Sequence, residues 1–263
     1  MARFVTLYSG SSGNSAYVGG RDAGILVDVG SSCRRTMKAL EESQIELDAV
    51  KAIFITHEHS DHISGLQVFL SKHNVPVYAS PEVAAYLADS GKLPAGTTLC
   101  EIGGDPVCEA GMMIESFDTP HDSLHSLGFR INTSDGRRIA IATDLGHLPD
   151  GIMKLLYGCD LVMIESNYDP EMLEFGPYPY MLKRRIFGRN GHLSNSECAA
   201  ALPSLIASGT TRLVLAHLSK ENNTPEVARS ASSESLFSGG FSEGSDYLLE
   251  VAPRFCAGKP IIL

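Results

Sequence analysis

The stretch Thr56-His57-Glu58-His59-Ser60-Asp61-His62 sets three histidines and two carboxylates within seven residues. It directly follows an apolar run, Val50-Lys51-Ala52-Ile53-Phe54-Ile55, that reads as a buried strand. Packing gives no reason for a strand to end in His-x-His-x-Asp-His. Imidazoles at alternate positions, then a carboxylate and a further imidazole, are donors suited to zinc and related divalent ions, in numbers able to serve two ions side by side. A solvated polar loop is the rival reading, and it weakens once the rest of the chain supplies the missing ligands.

The same design recurs on both sides of this stretch. Asp28 follows Ile25-Leu26-Val27, His121 follows a strand ending at Thr119-Pro120, Asp144 follows Ile139-Ala140-Ile141-Ala142-Thr143, and His217 follows Leu213-Val214-Leu215-Ala216. Taken singly, Asp28 and Asp144 stand where turn residues are common. Taken with His57, His59, Asp61 and His62, they form one repeated pattern: an apolar strand, then a polar residue where loops present chemistry.

Strands are expected at Phe4 to Tyr8 and Ser15 to Val18, around the turn Ser9-Gly10-Ser11-Ser12-Gly13-Asn14, and at Gly24 to Val29. Helices are expected from Ser32 to Ser43, from His62 to His73 with apolar residues at 63, 66, 69 and 70, and from Pro81 onward, where proline suits the first helical position. Residues 97 to 143 read as β-rich, with strands at 112–119, 127–133 and 138–143 and a hairpin turn at Ser134-Asp135-Gly136. An α/β pattern follows: helix 149–157, strand 161–165, helix 194–208 and strand 212–216. The Ser/Gly-rich segment 230–245 reads as a surface loop. We read residues 1–263 as one α/β domain with two similar halves.

Apolar residues make up 43% of the chain and charged residues 20%, as in ordinary globular proteins. No stretch approaches the roughly 18 apolar residues of a membrane span. The start, Met1-Ala2-Arg3-Phe4, turns polar too soon for an export signal, and the six cysteines contain no C-x-x-C pair, so a cytoplasmic protein with reduced thiols is expected. A net charge of −10 argues against a generally basic nucleic-acid binder. It leaves room for local basic patches. Lys183, Arg184, Arg185 and Arg189 fall within seven residues, and Arg34-Arg35 form a second pair. Each is either a solvated helix face or a phosphate contact.

The ligand series resembles the metallo-β-lactamase fold superfamily, across roughly residues 4 to 220. That resemblance implies a four-layer αββα sandwich. It implies that His57, His59 and His121 hold one metal, that Asp61, His62 and His217 hold a second, that Asp144 bridges, and that Asp28 orients ligands without binding metal. His59 stands where the iron-binding members carry a carboxylate, which favours zinc or manganese. Two such ions about 3.5–4 Å apart can share a bridging hydroxide, generated because bound water has a pKa near 7. The implied reaction is hydrolysis of a phosphodiester, thioester, lactone or amide, with Asp61 among the catalytic residues.

Gly191-His192-Leu193-Ser194-Asn195 resembles the stretch of ribonuclease Z and related phosphodiesterases in which a histidine donates a proton to the leaving oxygen. His192 takes that role by resemblance. The alternative is a helix-capping histidine beside Ser194 as N-cap. Closer still, Ser9-Gly10-Ser11-Ser12-Gly13-Asn14-Ser15, Glu165-Ser166-Asn167-Tyr168-Asp169, Gly176-Pro177-Tyr178-Pro179, Leu182-Lys183-Arg184-Arg185-Ile186 and His217-Leu218-Ser219-Lys220-Glu221-Asn222-Asn223 are similar to the YycJ/WalJ group of bacterial metallo-hydrolases. Membership implies a DNA exonuclease with two divalent ions and a nucleic-acid partner. Tyr168 departs from that group, which usually has histidine there.

Lys183, Arg184, Arg185, Ser219 and Asn222 are candidate substrate contacts. The backbone of the 9–14 turn and of the helix near Ser194 are candidate phosphate cradles; a turn or cap role is the alternative for each. Two other readings of function stand beside the nuclease. One is a small-molecule hydrolase acting on a cyclic phosphodiester or thioester, although the long helical tail of glyoxalase II-like thioesterases has no counterpart in the 46 residues after His217. The other is a non-catalytic signalling partner, against which an intact ligand set argues.

Overall fold

The computed structural model of the chain describes residues 1–263. Alternation along the strands builds four layers. The first sheet contains β1 (Arg3–Tyr8), β2 (Ser15–Gly19), β3 (Gly24–Val27), β4 (Val50–Phe54), β5 (Val77–Ala79) and β6 (Leu99–Glu101) in that order. The second contains β7 (Val107–Glu109), β8 (Met112–Asp118), β9 (Leu127–Asn132), β10 (Arg138–Ala142), β11 (Leu161–Glu165), β12 (Arg212–Ala216) and β13 (Leu248–Val251), again in order, while β14 (Ile261–Ile262) returns to pair with β1 at the edge of the first. In β3, Ile25 and Val27 point into the core between the sheets and Leu26 points the other way. In β11, Leu161 and Met163 face that central core, and Val162 and Ile164 face outward. Both faces of each sheet are therefore apolar, as sheets covered on both sides require.

Helices cover the outward faces. On the first sheet lie α1 (Cys33–Glu42), α2 (Ser60–Ile63), α3 (Leu66–Lys72) and α4 (Pro81–Asp89). On the second lie α5 (Asp150–Leu156), α8 (Asn195–Ala207) and α9 (Pro225–Ser238). Between β11 and α8 the chain makes an excursion through α6 (Pro170–Phe175) and α7 (Tyr180–Ile186). That excursion has its own small core of Tyr168, Leu173 and Ile186. Each fully buried Leu, Ile or Phe contributes about 1.5–3 kcal/mol, so the large cores dominate and the excursion is held more lightly. No helix is long and apolar enough to cross a membrane.

Two expectations need correction. The helix expected over 62–73 is broken into α2 and α3 at Ser64-Gly65, where a Cβ on Gly65 would lie 1.8 Å from the Ser31 carbonyl oxygen. The loop expected over 230–245 is helical as far as Ser238, with Thr224 accepting from Val227 N at its start, Pro225 in the first turn, and Ala228, Ser232 and Leu236 buried one turn apart. Serine-rich composition concealed that periodicity. The helix α6 and the edge strands β13 and β14 had no counterpart in the sequence reading, while α7 makes the basic run 183–185 part of a helix.

Candidate metal centre

The polar residues at the strand ends converge between the two sheets. Three of them, Asp28 (φ 62°), Asp144 (φ 57°) and His217 (φ 56°), occupy the left-handed region. That region costs a side chain with a Cβ roughly 1 kcal/mol or more and clusters at functional sites. The 57–62 loop is pressed onto the 28–30 turn. Val29 N donates to His62 O at 2.9 Å, and a Cβ on Gly30 would lie 1.6 Å from the Asp61 carbonyl oxygen, so only glycine fits.

Two triads that could each hold a metal ion result. His57, His59 and His121 form one, with His57 Nε2 and His59 Nδ1 3.0 Å apart and His121 Nε2 3.4 Å from the same His59 atom. Asp61, His62 and His217 form the other, with His217 Nε2 3.4 Å and His62 Nε2 3.6 Å from Asp61 Oδ2. Asp144 lies between them: its Oδ2 is 3.3 Å from His62 Nε2 and its Oδ1 is 3.7 Å from His121 Nε2. Asp144 Oδ2 is buried and has no hydrogen-bond partner. A buried carboxylate oxygen left without a donor is costly in a metal-free site and is what a bridging ligand presents. The donor set, five imidazoles and two carboxylates, fits divalent zinc or manganese.

Hydrogen bonds behind the triads fix the tautomers. His121 Nδ1 donates to the Gly191 carbonyl oxygen at 3.0 Å, which leaves its Nε2 lone pair facing the cluster. His62 Nδ1 donates to Asp28 Oδ2 at 2.7 Å, and Asp28 also accepts from Thr56 N and Thr56 Oγ1, each at 2.8 Å. Asp28 thus stands behind His62, on the side away from Asp61 and Asp144.

Sequence reasoning passed over Glu165. This residue is fully buried, and its Oε1 accepts from His217 Nδ1 and from His192 Nδ1, both at 2.8 Å. Its Oε2 accepts from Leu145 N at 2.7 Å and Leu193 N at 3.2 Å. The available signal was a charge at the inner end of the apolar strand Leu161-Val162-Met163-Ile164, since a carboxylate buried there needs partners. Asn14 was passed over too. Its Nδ2 lies 3.1 Å from Asp61 Oδ2 and 3.0 Å from His62 Nε2.

The charges sort the histidines. Burial pushes His57 and His121 below the ordinary imidazole range, helped in His57 by its neighbouring histidines. Burial also acts downward on His62, but Asp28 and Asp144 outweigh it and lift His62 to about 9. His217 is raised in the same way, against burial, by Asp144, Asp61 and Glu165. Burial alone would raise Asp61 and Glu165. The hydrogen bond from His217 and the charges of His62 and His217 hold Asp61 well below the usual carboxylate range, and His192 and His217 do the same for Glu165.

The remaining candidates divide. His192 enters the site, its ring centroid 5.1 Å from that of His121 and 5.2 Å from that of His217. It caps nothing: Ser194 is the N-cap of α8, in a capping box with Glu197. Only Arg185 of the basic run turns toward the metal cluster. It grips both carboxylate oxygens of Asp122, through Nε and through Nη2 at 2.8 Å, and Asp122 Oδ1 lies 3.6 Å from His121 Nε2. Lys183 Nζ donates to the Glu174 carbonyl oxygen at 2.7 Å, and the Arg189 guanidinium stands by His147.

Ser219 and Asn222 do not line the opening. Asn222 is fully buried and donates through Nδ2 to Ser219 Oγ at 3.4 Å, so the pair closes the turn after β12. Several backbone donors of the candidate phosphate cradles are spent on the fold. In the 9–14 turn, Gly10 N donates to Asn14 Oδ1, Gly13 N to Gly10 O and Asn14 N to Asp61 O, while at the start of α8 Ser194 N donates to Glu197 and Asn195 N to Tyr168 O. Tyr168 is buried in the small core under α7, edge-on to Phe187 with ring centroids 5.3 Å apart. Burial pushes its hydroxyl up to about 12.

The chain belongs to the β-lactamase superfamily of metal-dependent hydrolases: residues 24–218 match the family described as the beta-lactamase superfamily domain. Within that superfamily it falls in the YycJ/WalJ group. It is 35% identical over 245 residues to the exodeoxyribonuclease YycJ of Bacillus anthracis, spanning 93% of this chain and 92% of that one. It is 33% identical over 248 residues to the exodeoxyribonuclease WalJ of Streptococcus pneumoniae, with the same coverage of each. The Zn(2+)-bound PqqB of Methylobacterium extorquens shares the fold, with a TM-score of 0.73 over 98% of this chain and 99% of that one at 16% identity.

Proposed function

We propose that this hydrolase is a two-metal phosphodiesterase that digests DNA from an end. The observation that carries the reading is the Glu165–His192 pair beside the two triads. Glu165 Oε1 accepts the hydrogen bond from His192 Nδ1–H, which leaves Nε2–H of the protonated ring as the proton to donate. The alkoxide expelled from a phosphodiester is a poor leaving group and gains most from a proton donor, whereas a thiolate expelled from a thioester leaves unaided. The exonuclease names of the two relatives support DNA as the substrate.

His57, His59 and His121 would hold one ion, Asp61, His62 and His217 the other, and Asp144 would lie between. Bound divalent ions supply Lewis-acid polarisation of the phosphoryl group and an acidified water. Asp61 stays ionised and positions the attacking water beside His62 and His217. Asp28 and Glu165 keep His62 and His217 in the tautomer that faces the cleft. His192 transfers its Nε2 proton to the departing oxygen, and the carboxylate of Glu165 fixes the ring for that transfer.

End-labelled DNA and RNA strands incubated with the zinc- or manganese-loaded protein test this. DNA should shorten progressively from one end. Turnover of a cyclic nucleotide or thioester with DNA left intact would sink the reading in favour of a small-molecule hydrolase.

A further inference from the structure

The excursion α6–α7 presents three surfaces. Ile186 and the flank of Leu182 pack down onto Tyr168 and Leu173. Arg185 reaches toward the metal cluster through Asp122. The third surface faces outward and combines features that globular proteins seldom expose together. Tyr180, Lys183, Arg184 and Phe187 stand at positions i, i+3, i+4 and i+7, so they form one stripe. Tyr180 is 72% exposed and Phe187 is 47% exposed. The Arg184 guanidinium lies 5.9 Å from the Tyr180 ring centroid. These four residues and Glu174 line a groove of about 510 Å³.

Charge selects the occupant. The chain as a whole carries −10, yet no carboxylate pairs with Lys183 or Arg184. Glu174 is the one acid in the groove, and the lysine bonds its backbone carbonyl, not its side chain. Exposed rings interleaved with free cations match a ligand that offers flat π-faces and phosphates in turn. In a duplex those faces are buried in the stack, so only unpaired bases reach Tyr180 and Phe187. The location also fits. Four residues separate Phe187 from His192, and the chain between them runs against the Asp144 loop, where a Cβ on Gly146 would lie 2.0 Å from the Arg189 carbonyl oxygen.

We propose, resting on the nuclease reading above, that the outward stripe of α7 is a stacking platform that grips unpaired bases of the polynucleotide beside the scissile bond. Tyr168, edge-on beneath Phe187, supports one ring of the platform.

Binding of three phosphorothioate-linked probes to the holoenzyme tests this: a single-stranded oligothymidylate, an abasic strand with the same number of phosphates, and a blunt duplex. Oligothymidylate should bind roughly 5- to 100-fold more tightly than the abasic strand. In a Tyr180→Leu, Phe187→Leu double variant that ratio should fall toward one. The chain contains no tryptophan, so Tyr180→Trp installs a single reporter on the platform, and oligothymidylate should quench its fluorescence while the abasic strand does not. Equal affinity for the thymidylate and abasic strands, an unchanged ratio in the double variant, or a reporter indifferent to bases overturns the platform while leaving the nuclease standing. A change of oligomeric state in the double variant with the ratio intact assigns the stripe to a second copy of the chain and equally overturns it. Failure of the wild-type holoenzyme both to bind any of the three probes and to digest unmodified DNA sinks the nuclease reading itself.

Discussion

Each half of the molecule buries one carboxylate behind its histidines, at the end of a strand next to the cleft: Asp28 after β3 and Glu165 at the end of β11. Asp28 serves one imidazole, His62, and spends its remaining capacity on Thr56. Glu165 serves two, His217 and His192, and ties down the backbone at Leu145 and Leu193. The matching pair, His62 and His217, belongs to the metal cluster. The unmatched His192 is what the second half adds. The first half is equipped to hold ions. The second is equipped to hold ions and, as we read it, to move a proton.

The largest effect should come from breaking that surplus. His192→Ala should lower turnover of DNA by about 10²–10⁴-fold with metal content unchanged, and Glu165→Gln should lower it at least as far. The two substitutions combined should cost little more than Glu165→Gln alone, because they disable one device. Fully additive losses in steady-state kinetics would mean that Glu165 does not act through His192. A diester with a p-nitrophenolate leaving group should be nearly indifferent to His192→Ala.

Asp28→Asn should act on metal, not on proton transfer. Affinity for the ion at His62 should weaken about 10–100-fold, and excess metal should restore DNA turnover. If metal titration rescues Glu165→Gln but not Asp28→Asn, the two carboxylates have been assigned the wrong way round.

The two carboxylates also share a consequence for pH. Both His62, lifted to about 9, and His217, also raised, carry a proton in the metal-free chain and must lose it to become ligands. Metal affinity should therefore rise with pH through the region up to about 9, by about tenfold per pH unit for each proton displaced. Calorimetry in buffers of different ionisation heat should register the release, and Asp28→Asn should release less. Equal release by both proteins would detach Asp28 from the protonation of His62.

The smallest effect belongs to the same chemistry placed at the surface. His125 donates to Glu82 and Asp118, both at 2.8 Å, with about a third of its side chain (32%) exposed. The bond to Asp118, followed by that to Glu82, raises its pKa against partial burial. A raised folded-state pKa stabilises fully below the unfolded value near 6.5 and is lost as pH rises through the folded value. His125→Gln should thus lower stability at pH 5.5 by about 1 kcal/mol or less and leave it unchanged at pH 9. A loss in urea denaturation that persists at pH 9 would show that the ring acts by packing.

The sequence made the converging polar residues readable and hid what holds them. His57, His59, Asp61, His62, His121, Asp144 and His217 stand out because each is a polar residue at the end of an apolar strand. Glu165 looks like one more strand end, since nothing local says that two imidazoles from distant loops converge on it. Ser219 and Asn222 were drawn into the site by their nearness to His217, but the chain turns inward there and buries them. The basic run at 183–185 was visible as charge. That Arg185 parts company with Lys183 and Arg184 follows only from the setting of α7 on Tyr168, Leu173 and Ile186, too few apolar positions to reveal a helix. In 230–238 the serines masked a buried stripe one turn apart.

The left-handed backbone at Asp28, Asp144 and His217 has a consequence for how such a protein changes under selection. Glycine at any of the three positions would relax the chain by roughly 1 kcal/mol, and at Asp144 or His217 it would also relieve the crowding of ligand side chains in the metal-free state. The same changes delete a ligand or its support. A screen that rewards thermal resistance without assaying turnover should therefore favour glycine at position 144, where a buried carboxylate oxygen has no partner, over position 28, whose carboxylate accepts three hydrogen bonds. Aspartate and histidine in those conformations give up backbone stability at the place where the metal centre is built.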